Sequence, residues 1–321
     1  MTQVSSFTTN KGLSSDTVLN KLDRLDKQLS SVFFNTKISL TMEYALSIPG
    51  NFFGLPVFAL LIAPNIYATY YSSDENVSYL LLLLLITLIS TTLVLWFRAL
   101  NGNKNFITQR NSILSGFIAP MISIILLLTL YEEDEEAKNV GFFQLASWSI
   151  SIIPVAILKT RIGRVRPCCC TEFRKNDKDV DKHLIIIQQE LIQESPTSSF
   201  PSGDAAGAMA VIFPLLYHQS NNIQIITGIV CIVLSCLGRL YWKAHHLGDV
   251  IAGVVLSFMC CQFLYYYIDK PGECQIQWYH ALIAHMTLII TVKLRKKLFG
   301  KNNNKTPFMY YEENKGEGRY E

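Results

Sequence analysis

Three short stretches of this chain combine residue types that handle phosphate. They lie at 159–167, 201–204 and 239–249. Lysine and arginine hydrogen-bond phosphate oxygens, a histidine can attack phosphorus, and the amides that begin a helix can bind an anion. Together these residue types predict a site for phosphoryl transfer.

The cations and a helix start supply the phosphate-binding part of this site. Without a metal, the dispersed negative charge of a phosphoryl transition state has to meet fixed cations and amides. Lys159, Arg166 and Arg239 are the predicted cations, and the two guanidinium groups offer paired donors that lysine lacks. Ser202 and Gly203 follow a proline suited to the first helical position, so their amides and the serine hydroxyl are predicted to bind phosphate oxygens.

A histidine and two aspartates supply the predicted catalytic part. His245 is the candidate nucleophile, because a neutral imidazole can form a phosphohistidine that water later cleaves. Asp249 lies one helical turn further on the same face, where it is predicted to hold the ring tautomer and stabilise the developing charge. His246 projects about 100 degrees away on a helix and is the weaker choice. Asp204 is the predicted acid that protonates the leaving oxygen.

The composition places these residues in a membrane protein. Half of the 321 residues are apolar, 17% are charged and the mean hydropathy is +0.26. A membrane-spanning helix needs about 20 apolar residues, and candidate runs lie at 50–71, 77–97, 112–131, 141–158, 202–218, 223–238, 248–268 and 277–292. Several runs are short, so the prediction is an all-α polytopic membrane bundle with six to eight transmembrane helices. The three motifs then fall on one face of the membrane, since two spans separate the second motif from the third.

The charge distribution predicts which face this is. With eight spans, all Lys and Arg residues except Lys138 and Lys270 share the side that carries the motifs. The positive-inside rule places that side in the cytosol. The first apolar run begins only near residue 50, so the first span is predicted to act as an uncleaved insertion signal. We expect an integral protein of the endoplasmic reticulum or another endomembrane, with its active site on the cytosolic face.

The three motifs carry a resemblance to a known family. KX6RP, PSG and RX5HX3D, in this order and each beside an apolar run, resemble the type 2 phosphatidic acid phosphatase superfamily, which includes lipid phosphate phosphatases and polyisoprenoid diphosphate phosphatases. The resemblance covers roughly residues 140–270. It implies an all-helical membrane bundle that hydrolyses lipid phosphates or diphosphates through a phosphohistidine, without magnesium or another cofactor. The same cations, helix start, histidine and aspartate would carry these roles.

Two positions depart from the family pattern. The family usually has histidine where this chain has Asp204, and serine where it has Gly238. That histidine is the family's usual general acid. Asp204 therefore either replaces it with a shifted pH optimum, or leaves a slow enzyme, or marks a phosphatase-like protein that only binds lipid phosphate. Gly238 still offers its backbone amide.

The substrate is less well defined than the chemistry. The N-terminal layout loosely resembles the polyisoprenoid diphosphate phosphatase branch, with a Leu/Asp helix at 19–23 and a second short motif at 42–46 before the first span. Phosphatidate, sphingoid phosphates and isoprenoid diphosphates all remain open. The expected partners are the lipid phosphate substrate and the membrane, with no nucleic acid.

Four regions follow from this pattern. Residues 1–49 form a cytosolic segment with an amphipathic helix, 50–140 the N-terminal membrane helices, 141–270 the catalytic membrane core, and 271–321 the last membrane helix and a polar, basic tail. The amphipathic helix, with apolar residues every three or four positions from residue 18 to 32, is expected either on the membrane surface or against the protein's own loops.

Several polar features were interpreted without a catalytic role. Arg161, Arg164 and Lys243 are typical of cations that anchor spans at the membrane edge. The triplet Cys168, Cys169 and Cys170 favours unmodified or acylated thiols over a metal site. The long hydrophilic loop at 171–199 is predicted to cover the site. The rival class is a channel, transporter or structural lipid-binding protein, which would more often show matched halves or paired acidic residues at mid-membrane.

Overall fold

The computed structural model describes residues 18–34, 36, 39, 42, 46, 58–72, 110–169, 198–217, 222–268 and 276–299. All regular structure in these ranges is helical. The eight α-helices are α1 (Val18–Phe34), α2 (Ala63–Tyr71), α3 (Arg110–Leu130), α4 (Glu135–Ile162), α5 (Gly203–Tyr217), α6 (Asn222–Tyr241), α7 (Leu247–Ile268) and α8 (Trp278–Phe299). A single π-helical turn, Phe58–Ile62, leads into α2, and a 3-10 turn, Pro167–Cys169, follows α4.

The helices coincide with most of the predicted apolar runs, but fewer of them qualify as membrane spans. Within the described ranges, three helical segments are long and apolar enough to cross a membrane: Glu135–Cys169, Asn222–Tyr241 and Leu247–Tyr266. The apolar parts Ile118–Leu130 and Gly203–Tyr217 are shorter. The run predicted at 77–97 and most of the loop at 171–199 lie outside the described residues. The predicted total of six to eight spans therefore stays a prediction beyond these three.

Helix α4 is the centre of the bundle. It packs against α2, α5, α7 and α8, whereas α5 also packs against α6 and α7. Asp134 caps the N-terminus of α4 by accepting a hydrogen bond from the amide of Ala137 at 3.0 Å. Gly163 ends the helix in the left-handed conformation, with φ at 62°, which glycine adopts without steric cost. This sharp end lies within the first phosphate-handling motif, between Lys159 on the helix and Arg166 beyond it.

The core around α4 is apolar and rich in aromatic residues. Phe143 of α4 lies against Phe213 of α5 and Tyr265 of α7, and Phe213 stacks on Tyr217 at a centroid distance of 4.4 Å. Burial of such large side chains dominates the packing energy of a helical interface. The packing holds the ends of α4, α5 and α7 together at one end of the bundle.

Helix α1 contacts α6 and α7, and its polar face is turned toward them. Asp26 and Ser30 on this face accept hydrogen bonds from the first amides of α7. The apolar residues along the rest of α1 are exposed, whereas Phe34 at its end is buried; the exposed ones are Val18, Leu22, Leu25, Leu29 and Val32. Residues 18–34 thus form a helix whose polar face packs against α6 and the start of α7, not against loops. A position of its apolar face on the membrane surface remains a prediction.

Candidate active site

The predicted nucleophile is buried where two of the motifs meet. His245 is 1% exposed, and its Nδ1 lies 2.7 Å from the backbone carbonyl oxygen of Ser199. A carbonyl can only accept a hydrogen bond, so Nδ1 carries the proton and donates it. This leaves the lone pair on Nε2, which lies 3.3 Å from a guanidinium nitrogen of Arg166. The imidazole is therefore held in one tautomer, with its nucleophilic nitrogen beside a cation.

The surroundings of His245 keep its ring neutral. Burial lowers the pKa of His245 well below its ordinary value, and the positive charges of Arg166, Lys159 and Arg239 lower it further. The hydrogen bond to Ser199 acts in the opposite direction and is outweighed. A neutral imidazole is the form that can attack phosphorus.

Asp249 acts on His245 indirectly. Its nearest carboxylate oxygen is 3.9 Å from Nδ1 of His245, longer than a hydrogen bond. The same oxygen accepts a hydrogen bond from the hydroxyl of Ser199 and another, at 2.8 Å, from the amide of His246. Its other oxygen lies 2.6 Å from Arg164. The structure thus differs from the direct contact expected from the sequence, because Ser199 stands between Asp249 and the ring.

The other two predicted phosphate-binding cations are close to the same place. Lys159 lies beside the start of α5, since a Cβ on Gly203 would be 3.6 Å from its Nζ. Arg239, at the end of α6, forms an ion pair with Asp204 through Nε at 3.1 Å. The guanidinium carbon of Arg239 also lies 5.1 Å from the centre of the Trp242 ring, a cation–π contact that holds its plane.

Arg166 is held by the third motif. One guanidinium nitrogen donates to the carbonyl of Ala244 at 2.9 Å, one residue before the histidine. The amide of Cys168 donates to the carbonyl of Lys243 at 2.9 Å, so backbone contacts bind the two segments together as well. Arg166 is therefore fixed in its direction by the loop that carries the nucleophile.

The start of α5 differs in detail from the prediction. The helix begins at Gly203, so Ser202 is its cap and Pro201 precedes the helix instead of opening it. The amide of Ser202 donates to the carbonyl of Asp249 at 2.9 Å, which removes it from the predicted set of phosphate-binding amides. Its hydroxyl faces the amide of Ala205 at 3.4 Å. The Gly203 amide, in the first turn of the helix, keeps the geometry for binding an anion.

Glycine at position 238 is explained by a close approach of the N-terminal segment. A Cβ at Gly238 would lie 2.4 Å from the backbone oxygen of Leu46. No side chain can be accommodated there unless the backbone moves. The family's usual serine is therefore excluded by packing in this chain.

Arg164 and Ser199 were not predicted as site residues. Arg164 had been interpreted as a membrane-edge anchor, yet it is buried and contacts three carboxylates, those of Asp23, Asp26 and Asp249. Its position two residues before Arg166 was the only signal in the sequence. Ser199 contributes a backbone carbonyl, which no side-chain pattern reveals.

The sulfur residues and possible metal ligands add little to this site. Cys168 is buried, with its Sγ 3.9 Å from that of Cys169, whereas Cys170 lies outside the described residues. Among the described residues, no three His, Cys, Asp or Glu side chains are grouped so that they could hold a metal ion.

Comparison with known proteins gives one match to this region. Residues 141–273 match the family model described as the PAP2 superfamily. This stretch, from α4 to just beyond α7, is a PAP2 superfamily domain. It contains all three motifs and covers less than half of the chain, and no particular branch of the superfamily is indicated. No curated protein and no solved structure was found to match the chain.

Proposed function

We propose that this protein is an integral membrane phosphatase that hydrolyses lipid phosphates or diphosphates through a phosphohistidine on His245. The PAP2 superfamily match supports phosphatase chemistry. The lipid substrate is argued from the position of the site at the ends of apolar helices, where the phosphate of a membrane lipid lies. Phosphatidate and polyisoprenoid diphosphates are the substrate classes that we favour.

The observation that carries this proposal is the environment of the His245 ring. Its Nδ1 is bound to the Ser199 carbonyl, and its Nε2 lies 3.3 Å from Arg166. A phosphate that replaces this contact would place its phosphorus next to Nε2 while Arg166 binds its oxygens. Bound reactants in such a geometry gain much of the rate that enzymes achieve by positioning.

The reaction then has two steps. In the first, Nε2 of His245 attacks phosphorus and the bond from phosphorus to the leaving oxygen breaks; this is the lipid oxygen of a phosphate ester or the bridging oxygen of a diphosphate. The leaving oxygen takes a proton from Asp204 or from water. In the second, water attacks phosphorus and gives a proton back to Asp204 or to solvent, the bond to Nε2 breaks with its electron pair returning to the ring, and inorganic phosphate leaves. The phosphorylated ring carries a positive charge that the carboxylate of Asp249, 3.9 Å from Nδ1, stabilises. Lys159, Arg166 and Arg239 neutralise the phosphoryl oxygens in both steps.

A second candidate function is binding of lipid phosphate with little or no turnover. The observation that favours it is the ion pair between Asp204 and Arg239, at 3.1 Å. A general acid has to carry a proton, and a protonated carboxyl group cannot form this ion pair. If Asp204 serves only to hold Arg239, the site binds phosphate without a protein group to protonate the leaving oxygen.

The deciding experiment uses detergent-purified full-length protein with EDTA present. Phosphate release is measured from phosphatidate, a sphingoid phosphate and a polyisoprenoid diphosphate, together with single-turnover trapping of the phosphorylated protein. We expect turnover and a phosphohistidine in the wild type, and neither in His245→Ala. His280→Ala, on a helix outside the site, is the matched control and should keep full activity. Turnover that persists in His245→Ala would eliminate the proposed nucleophile, and tight lipid phosphate binding without turnover in the wild type would favour the second candidate.

A further inference from the structure

The polar face of α1 makes contacts that its amphipathic sequence did not indicate. Helix α7 begins directly after the nucleophile, and the first amides of a helix have no acceptor within it. The Leu247 amide donates to the hydroxyl of Ser30 at 2.8 Å, and the Gly248 amide donates to Asp26 at 2.8 Å. Helix α1 thus caps α7 from more than two hundred residues away in the chain.

Gly248 makes this approach possible. A Cβ at this position would lie 2.8 Å from a carboxylate oxygen of Asp26. Any other residue at position 248 would push Asp26 away from the backbone amide whose hydrogen bond it accepts. The start of α7 therefore contains no side chain at the point where α1 is closest.

Arg164 joins α1 to Asp249 in the first turn of α7. One of its terminal nitrogens lies 2.7 Å from Asp26 and 2.6 Å from Asp249, and the other lies 2.6 Å from Asp23. Asp249 has no exposed surface, and a buried carboxylate needs a charged partner nearby. Burial raises the pKa of Asp23, but Arg164 and Lys27 outweigh it and hold that pKa below its ordinary value of 3.8.

From Asp249 the contacts lead directly to the nucleophile. Asp249 accepts a hydrogen bond from the hydroxyl of Ser199, and the carbonyl of Ser199 accepts one from Nδ1 of His245. The amide of Ser199 also donates to the carbonyl of Arg164 at 3.0 Å. Each of these bonds is buried, so a shift at Arg164 would be transmitted to the orientation of the imidazole.

We propose that α1, through Asp23, Asp26 and Ser30, is a positioning element for catalysis that acts through Arg164 on Asp249 and His245. This inference rests on the proposed function, because it assigns α1 a part in phosphoryl transfer. In the structure, α1 is linked to the His245 ring through Arg164, Asp249 and Ser199, whereas the proposed phosphate ligands are Lys159 and the other two cations. Loss of the α1 contacts should therefore reduce the chemical step more than phosphate binding.

The first test compares Asp26→Ala with Gln28→Ala, an exposed position on the same helix. In the full-length protein we expect Asp26→Ala to lower kcat at least tenfold, with KM and inhibition by vanadate changed less than twofold. Gln28→Ala should match the wild type. Equal kcat in the two variants would refute the proposal. So would a loss of kcat that is accompanied by a proportional loss of folded protein, measured by thermal unfolding in detergent.

The second test uses Arg164→Ala with added guanidinium. A positioning cation can be replaced in part by a free one, so guanidinium should restore at least a tenth of the lost kcat. Arg161→Ala, at an exposed position three residues earlier in the last turn of α4, should neither lose comparable activity nor respond to guanidinium. A loss of activity in Arg164→Ala with no rescue would indicate a merely structural role and count against the proposal.

Amide hydrogen exchange separates this proposal from the proposed function. In Asp26→Ala, the peptide containing Leu247 and Gly248 should exchange at least tenfold faster than in Gln28→Ala, whatever the catalytic activity of the protein. If the wild type has no phosphatase activity but Asp26→Ala still shows the faster exchange, the α1 contacts exist and the phosphatase assignment fails. An active wild type with unchanged exchange and unchanged kcat in Asp26→Ala would overturn the role of α1 alone.

Discussion

Asp204 is the residue on which the two candidate functions differ. Its carboxylate is partly exposed and is paired with Arg239 at 3.1 Å. The pair can serve catalysis in two ways: Asp204 can release Arg239 to the incoming phosphate and take up a proton, or it can remain bound and only hold Arg239 in place. The two roles have different kinetic consequences.

Replacing Asp204 with asparagine distinguishes them. If Asp204 is the acid, we expect Asp204→Asn to lower kcat about 100-fold, since general acid catalysis contributes about 10²–10⁴. Vanadate or phosphate binding should be retained, because Arg239 loses only a competing partner. Asp204→His should keep or raise activity. Turnover of Asp204→Asn equal to that of the wild type would remove Asp204 from the mechanism and leave it as a partner of Arg239.

The buried histidines also predict how stability depends on pH. Burial, followed by the nearby charge of Arg164, lowers the pKa of His246 from 6.5 to about 4. The unfolded chain therefore takes up a proton below pH 6.5 that the folded protein accepts only near pH 4. The contribution of neutral His246 to the free energy of unfolding is therefore fully present above pH 6.5 and is lost as the pH falls from 6.5 to 4.

Thermal unfolding in detergent across this pH range measures the effect. His246→Asn should show a shallower decline between pH 6.5 and 4 than the wild type, with the remaining decline due in part to His245. Identical slopes in the two proteins would show that the pKa of His246 is not depressed in the folded state.

At the scale of elements, the N-terminal segment is part of the site's support. Helix α1 caps α7, and Leu46 lies against α6 where Gly238 leaves room for it. Both contacts depend on a glycine at the point of closest approach. The contact with Leu46 leaves no room for the family's usual serine at position 238, one residue before Arg239, a predicted phosphate ligand.

Serine at position 238 should therefore harm this protein, although serine is usual in the family. Its Cβ would meet the Leu46 carbonyl at 2.4 Å. Overpacking of this kind costs about 1–3 kcal/mol, so we expect a lower apparent Tm and, because Arg239 follows directly, at least a fivefold loss of kcat. Val233→Ser, which places a hydroxyl on the exposed face of the same helix, is the control. A Gly238→Ser protein as stable and active as the wild type would contradict this account.

At the scale of the whole molecule, the site is assembled at one end of the helical bundle. Lys159 near the end of α4, the start of α5, the end of α6 and the start of α7 meet there, with α1 beside them. At this level the candidate membrane span α6 ends and the candidate span α7 begins. The N-terminal helix and the catalytic residues therefore share one side of the membrane.

The excess of Lys and Arg on this side predicts that it is cytosolic. In sealed vesicles with the cytosolic face outward, protease should cleave both an N-terminal epitope and the loop at 171–199 without detergent. Protection of both sites until detergent is added would place the active site in the lumen and overturn the charge argument. Cleavage at only one of them would contradict the contact between α1 and α7.

The grouping of the candidate site residues could be predicted because it depends on side chains at fixed spacings along the chain. The positions of Lys159, Arg166, Arg239 and His245 and the number of apolar runs between the motifs were sufficient to predict that these groups lie close together, whereas their chemical roles stay a prediction. The apolar runs likewise predicted the bounds of α3, α5, α6 and α7 to within three residues. Helix α4 instead begins six residues before its run, at an acidic turn capped by Asp134, and α8 ends seven residues after its run.

The hydrogen-bond and ion-pair partners of these side chains come from segments that are distant in the chain. The bond from Gly248 to Asp26 joins residues 222 positions apart, and the tautomer of His245 is set by a backbone carbonyl that carries no side-chain identity. A local pattern describes which face of α1 is polar, but whether that face meets water or the catalytic loop depends on how the helices pack. For the same reason Arg164 resembled a membrane-edge anchor until the fold placed three carboxylates around it.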